Sequence, residues 1–230
     1  MYGPSSPGKR SFSRRVIAII GVAMLMVMVM VLAPTAVTAE SLSFENVVAG
    51  GSPGDFELAV TGDGQQGNWQ VVVDETAREG KALAQLSQDK TDYRYPLAIY
   101  RPLNVANVEM TAWFRAVSGV VDQAAGVVVR YADADNYYVA RANALEHNVG
   151  FYRVVNGDRQ QLASANVKIA ASEWHGLMLH ANGDQFTVSF NGKVVLTVAD
   201  GTFRSAGRVG LWTKADSVIH FDWIIVRAMR

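Results

Sequence analysis

Three Asn-Gly pairs, Asn156-Gly157, Asn182-Gly183 and Asn191-Gly192, each stand between runs in which apolar and polar residues alternate. Asn and Gly tolerate the positive φ of tight primed turns, whose twist matches that of two antiparallel strands. A chain punctuated in this way folds as hairpins. The same period of two extends over candidate strands Phe56–Val60, Trp69–Val73, Lys81–Ser87, Pro96–Arg101, Asn107–Ala116, Ala125–Tyr131, Tyr137–Asn143 and Val149–Val155. It continues through Arg159–Ala163, Trp174–Ala181, Gln185–Phe190, Lys193–Val198, Arg208–Thr213 and Ser217–Val226. No stretch after residue 40 carries a capped helical period, and Asp74–Gly80 has room for a single turn. No repeat of 20–50 residues points to a propeller or solenoid. Many short strands with turn signals between them predict an antiparallel all-β sandwich or barrel.

The N-terminus belongs to a different class of sequence. Lys9, Arg10, Arg14 and Arg15 precede an apolar run from Val16 to Ala33, and small residues follow at Val37-Thr38-Ala39. These are the parts of a secretory signal peptide, with cleavage expected after Ala39. The run also reaches the length of a retained membrane anchor, which is the alternative. Either way the chain is expected to be one domain, residues 40–230, secreted or held in the periplasm or cell envelope. The leader takes four of the 21 basic residues and none of the 21 acidic ones, so residues 40–230 carry a net charge of −4. That balance argues against a nucleic-acid partner and leaves a membrane contact only through an uncleaved leader. There is no cysteine. An exported domain without disulfides is held by its core, which favours a large sandwich over a small stapled scaffold.

Alternation also assigns faces. In Asn107–Ala116, Val108, Met110, Ala112 and Phe114 form a core face, and Glu109, Thr111, Trp113 and Arg115 oppose them. In Tyr137–Asn143, Arg141 and Asn143 share a face with Tyr137, away from Tyr138. In Arg208–Thr213, Trp212 opposes Val209 and Leu211. In the last strand Ile219, Phe221, Trp223 and Ile225 are expected inside, with His220 and Asp222 outside. A charged corner, Lys214-Ala215-Asp216, joins these final two strands. Tryptophans beside arginine, asparagine and carboxylate suit sugars, whose apolar C–H faces are edged by hydroxyls. Each residue alone also fits ordinary packing or a solvated ion pair. Together Trp113, Arg141, Asn143, Trp212, Lys214 and Asp216 make the candidate site.

Other chemistries lack their residues. HExxH and GxxxxGK[ST] are absent, and without cysteine there is no thiol catalysis and no thiolate metal site. The four histidines show no ligand spacing. No cofactor is implied; Asp133-Ala134-Asp135 lacks the glycine and glutamate of a calcium loop and reads as a turn, and Asp222 with Glu45 offers a structural calcium pair. Glycoside hydrolysis needs two carboxyl groups flanking the bond. Any such pair would come from separate strands, with Glu109, Glu146, Asp216 and Asp222 as the candidates.

The runs Asn136–Gly157, Trp174-His175, Asn191–Asp200 and Gly207–Val226 resemble the exported 3-keto-disaccharide hydrolase, or family 16 glycoside hydrolase-like, domains. These belong to the concanavalin A-like lectin/glucanase group, related in shape to laminin G domains. The resemblance spans roughly residues 56–227. It implies a jelly-roll sandwich of two antiparallel sheets with glycan bound on a concave face, and it adds Tyr152 and Ser217 to the substrate-binding candidates. The ExDxxE catalytic strand of the glucanases is missing. Three readings follow: a glycan-binding domain; a hydrolase of 3-keto-disaccharides using Asp216 with Glu146 or Asp222; and a structural envelope domain.

Overall fold

In the computed structural model, which describes residues 1–3, 8 and 38–229, the alternation becomes strands along most of the chain. They are β1 (Thr38–Leu42), β2 (Phe56–Gly62), β3 (Trp69–Val73), β4 (Lys81–Gln85), β5 (Arg94–Val105), β6 (Asn107–Ser118), β7 (Ala124–Asp133) and β8 (Asn136–Asn143). Then come β9 (Asn148–Val155), β10 (Asp158–Asn166), β11 (Trp174–Asn182), β12 (Gln185–Phe190), β13 (Lys193–Ala199), β14 (Gly207–Thr213) and β15 (Val218–Met229). All lie in one compact unit, Thr35–Arg230. Residues 9–37, which hold most of the expected leader, fall outside the described residues.

Two antiparallel sheets form the sandwich. One runs β13-β12-β11-β6-β15-β4-β3, with β1 also paired to β15; the other runs β10-β9-β8-β7-β14-β5-β2. Hairpins join β3 to β4, β7 through β10 in succession, and β11 through β13, while β14 inserts between β7 and β5, and β15 between β6 and β4. The jelly-roll expectation is therefore met. The core between the sheets takes the faces read from alternation: Val108, Met110, Ala112 and Phe114 from β6, Tyr138, Ala140 and Ala142 from β8, and Val209 and Leu211 from β14.

Turn chemistry sets the hairpin registers. Asn156-Gly157 and Asn191-Gly192 are two-residue loops with φ of 51°, 81°, 48° and 77°, as a primed turn with two left-handed centres requires. The third signal works differently. Asn182 pairs with Gln185, so the loop is Gly183-Asp184, with Gly183 at φ 57° in the first central place.

One expected face is overturned. In β15 the register shifts between Asp222 and Ile225, and Trp223 takes φ 40°. The bulge turns Trp223 outward, to 36% exposure, and delivers Ile224 and Val226 to the core in place of Trp223 and Ile225. Trp-Ile-Ile-Val is apolar throughout, so alternation has no polar residue there to mark the slip.

Candidate functional site

The seven-stranded sheet carries a second apolar cluster on its outward face. Tyr95, Leu97, Ile99, Val128, Tyr131, Tyr137, Val139, Tyr152, Val154 and Trp212 bury one another there. Trp212 is fully buried; its indole stacks on Tyr95 at 5.3 Å and donates to the Tyr137 hydroxyl at 3.3 Å. Tyr152 lies flat along the sheet because its neighbour is glycine: a Cβ on Gly150 would sit 2.5 Å from the Tyr152 hydroxyl. Three guanidiniums cover these rings. Arg141 lies 5.5 Å from the Tyr152 centroid, and Arg208 lies 5.1 Å from that of Tyr131. Arg159 spans Tyr152 at 4.6 Å, Tyr95 at 5.0 Å and Trp212 at 5.8 Å.

A charged array adjoins the rings. Buried Arg141 donates to Glu146 Oε2 at 2.9 Å and to Asn148 Oδ1, and Asn148 Nδ2 closes the triangle on Glu146 at 3.0 Å. Burial raises the Glu146 carboxyl, but the hydrogen bonds from Arg141 and Asn148 outweigh it and hold the pKa below its usual value. Asn143, wholly buried, donates to Asp122 Oδ1 at 2.6 Å. Lys214 reaches Asp122 at 3.0 Å and Asp92 at 2.6 Å. Burial pushes the Asp122 carboxyl up, and Lys214 only partly offsets this. Arg141 Nε is buried without a hydrogen-bond partner among the described residues, although buried donors in folded proteins are nearly always satisfied by protein, water or ligand.

The Lys214–Ser217 corner sits behind this array. Asp216 accepts from the amides of Val120 at 2.8 Å, Val121 at 3.0 Å and Asp122 at 3.0 Å, and is 2% exposed. Burial raises its carboxyl, yet these amides outweigh burial and keep the pKa low. Ser217 Oγ donates to Lys214 O at 2.5 Å and accepts from Ala124 N at 3.0 Å. Both side chains clamp the corner to the segment 119–124.

Trp113 and Asp222 lie on the other sheet. There Trp113 stacks on Trp223 with centroids 6.2 Å apart, and with Trp174, Arg78 and Thr76 they line an open groove. Arg78 covers Trp223 at 4.1 Å, and Trp174 Nε1 donates to Thr76 Oγ1 at 3.0 Å. Asp222 accepts from the amides of Arg78 and Trp223, each at 2.7 Å. Glu45 contacts Asn46, and among the described residues no three His, Asp or Glu side chains are placed to hold a metal.

Beside this groove Asp74 gathers Thr76 Oγ1 at 2.6 Å, His220 Nδ1 at 2.7 Å and Arg115 Nη2 at 2.5 Å. Burial raises its carboxyl, but the bonds from Thr76, His220 and Arg115 prevail and lower the pKa from 3.8 to about 2. A carboxyl depressed in the folded state contributes stability above its unfolded pKa and loses it as pH falls through the folded one. We expect the melting temperature to drop as pH falls from 3.8 to about 2, and Asp74→Asn to have a shallower drop across that window. Parallel melting curves for the two proteins would refute this.

Of the residues singled out in the sequence, Arg141, Asn143, Glu146, Tyr152, Trp212 and Lys214 thus meet at one sheet face and its end, with Asp216 and Ser217 behind them. Trp113 and Asp222 do not join them. Alternation alone missed Arg159, Asp122, Trp174 and Trp223. Arg159 was within reach: an Asn156-Gly157 loop places it opposite Val154, hence on the face of Tyr152. Nothing local marks Asp122.

No family model matches the chain, and no curated protein does. Solved structures share its fold. Carbohydrate-binding module CBM66 from Bacillus subtilis is 22% identical, with a TM-score of 0.56 over 73% of this chain and 92% of that one. Domain 4 of AbnA, a GH43 extracellular arabinanase from Geobacillus stearothermophilus solved in complex with arabinotriose, is 14% identical, with a TM-score of 0.56 over 85% and 93%. The cellulose-induced protein Cip1 is 13% identical, with a TM-score of 0.59 over 81% and 96%. The chain has the lectin/glucanase-like β-sandwich fold.

Proposed function

We propose that residues 40–230 form an exported glycan-binding domain that holds its sugar at the outward face of the seven-stranded sheet, over Arg141, Glu146 and Asn148. One observation carries this reading. Glu146, with a side chain 48% exposed, is fixed in orientation by a guanidinium that is itself 3% exposed. A carboxylate that is open to solvent yet rigidly held accepts hydroxyl hydrogen bonds at little further entropic cost. Asn148 supplies amide groups beside it, and Lys214 and Asp92 continue the polar rim. Trp212 serves as the base of the array, since its ring is covered. Export is supported by the leader composition, and sugar as ligand by the CBM66 and arabinotriose-bound relatives in fold. The groove of Trp113 and Trp223 is the less favoured face, because Arg78 already occupies one side of Trp223.

The test is a glycan array followed by calorimetry on the full chain. Arg141→Ala and Glu146→Gln are expected to weaken binding by about tenfold to a hundredfold, the scale of a lost charge-assisted bond. Trp113→Ala should change it less than about twofold. The reverse pattern would move the site to the other sheet. No binding to any glycan would leave the structural envelope role.

One observation favours a second reading, cleavage of the bound sugar as in 3-keto-disaccharide hydrolases. Asp122 is pushed up by burial while Glu146 is held down by Arg141, and carboxyl groups split in this way serve as acid and base. Mass analysis of each glycan after incubation would detect products, and Asp122→Asn should stop their formation while binding persists.

A further inference from the structure

Three guanidiniums lie over the rings of the outward face, and only one lacks a counter-charge. Arg141 pairs with Glu146 at 2.9 Å and Arg208 with Glu57 at 2.6 Å. Lys214, at the same end, pairs with Asp122 and Asp92. Arg159 has no carboxylate partner among the described residues, and its Nη1 is buried without a hydrogen-bond acceptor. It is held in place by Tyr152, Tyr95 and Trp212 at 4.6, 5.0 and 5.8 Å, whose π faces attract a cation but accept no strong hydrogen bond.

We propose that the glycan taken at this face is acidic, and that Arg159 receives its carboxylate. The inference rests on the glycan-binding reading and adds the sugar class. Arg159 projects from β10 opposite Val154, which lies two residues from Tyr152 on the same face, and Tyr152 carries the Arg141 guanidinium as well. A sugar bonded to Glu146 and Asn148 therefore has Arg159 within the same ring cluster. A uronic acid places a planar carboxylate on the edge of a ring whose hydroxyls would meet Glu146. The guanidinium fork matches a carboxylate in two parallel bonds, and partial burial spares that pair much of the screening of an exposed one. The neighbouring carboxylates already face other cations: Glu146 pairs with Arg141, Glu57 with Arg208, and Asp122 and Asp92 share Lys214.

The experiment uses the full chain and matched pairs of ligands: oligogalacturonate, oligomannuronate and a glucuronate-bearing xylan oligosaccharide, each beside its carboxyl-reduced neutral form. Calorimetry is expected to show at least one acid bound about tenfold or more tightly than its reduced partner, a preference that shrinks as salt rises. Arg159→Gln should remove that preference while leaving the reduced sugar bound as before, and Arg159→Lys should keep part of it. Equal binding of acid and reduced forms by the unaltered protein would overturn the acidic specificity and leave the glycan reading intact. Acid preference that survives Arg159→Gln in a protein with unchanged melting would overturn the role of Arg159. Failure of all acids together with all neutral glycans would overturn both readings.

Discussion

Asp216→Ala lowers the stability of the domain by about 3–5 kcal/mol, with a fall in melting temperature of about 10 °C for a chain of this size. The carboxylate holds the amides of Val120, Val121 and Asp122, and its removal strands three donors in a segment wrapped around it. That segment has no simple way to refold outward. Gly119 stands at φ 150°, where a Cβ would lie 1.9 Å from the Asp122 carbonyl, so the loop is already tightly closed. On the other side Arg94 Nη1 donates to Ala215 O at 2.6 Å, and Gln85 Nε2 donates to Ser217 O at 2.9 Å. These leave the corner tethered beside the empty space. Asp216→Asn keeps an acceptor and should lose less than half as much. Because the amides hold the acid form of Asp216 at a disadvantage, its contribution is present above the ordinary carboxyl range and is lost as pH falls below it. Thermal melts of the three proteins at neutral and acidic pH check both statements. A melting point for Asp216→Ala within a degree or two of the parent would show that the amides find water instead, and that Asp216 is free for another role. If the loss is as large as expected, failure of Asp216→Ala to bind sugar reports on folding and says nothing about contact with a ligand.

That distinction marks what the sequence could convey. Strands and faces were legible wherever polar and apolar residues alternate, as in β6, β8 and β14, because one period places a whole strand. Legibility ended where the signal is uniform or distant. Trp223 sits in an all-apolar run, so the bulge that turns it outward left no trace in the pattern. Asp216 reads in the sequence as a ligand-facing acid of a charged corner, and only the approach of residues 119–122 from another part of the chain makes it an anchor. The candidate site shows the same division. Arg141, Asn143, Tyr152 and Trp212 share a face that alternation plus the hairpin turns could nearly assemble. Joining Lys214 to Asp122 and Asp92 required β14 to insert between β7 and β5, which no local pattern encodes. Trp113 shares an outward orientation with Trp212, but on opposite sheets. Orientation within a strand is a local property, whereas the choice of sheet is a property of the whole topology.

Trp212→Ala is expected to cost about 3–5 kcal/mol, the range for deleting a large buried aromatic side chain. The side chain is the largest of those fully buried, and it lies outside the core between the sheets, in the cluster on the outward face. Its loss removes the stack with Tyr95 and the bond to the Tyr137 hydroxyl, which keeps Thr61 Oγ1 at 2.9 Å as a remaining partner. The resulting cavity has little chance to close, because Gly126 and Val139 beneath it belong to sheet strands whose spacing is set by backbone bonds. Trp212→Phe retains most of the ring contact and should cost about half as much. The consequences for binding then separate two roles. As a support, Trp212 acts through the height and orientation of Arg159, so Trp212→Phe should bind neutral sugar normally and lose only part of any acid preference. As a stacking platform, it would lose affinity for neutral and acidic sugars alike while the fold barely changed. Melting curves and calorimetry on the same two variants decide between these. A stable Trp212→Ala protein that no longer binds sugar would return the tryptophan to the ligand-contacting role suggested by its place in the sequence, and would require the outward cluster to open when sugar arrives.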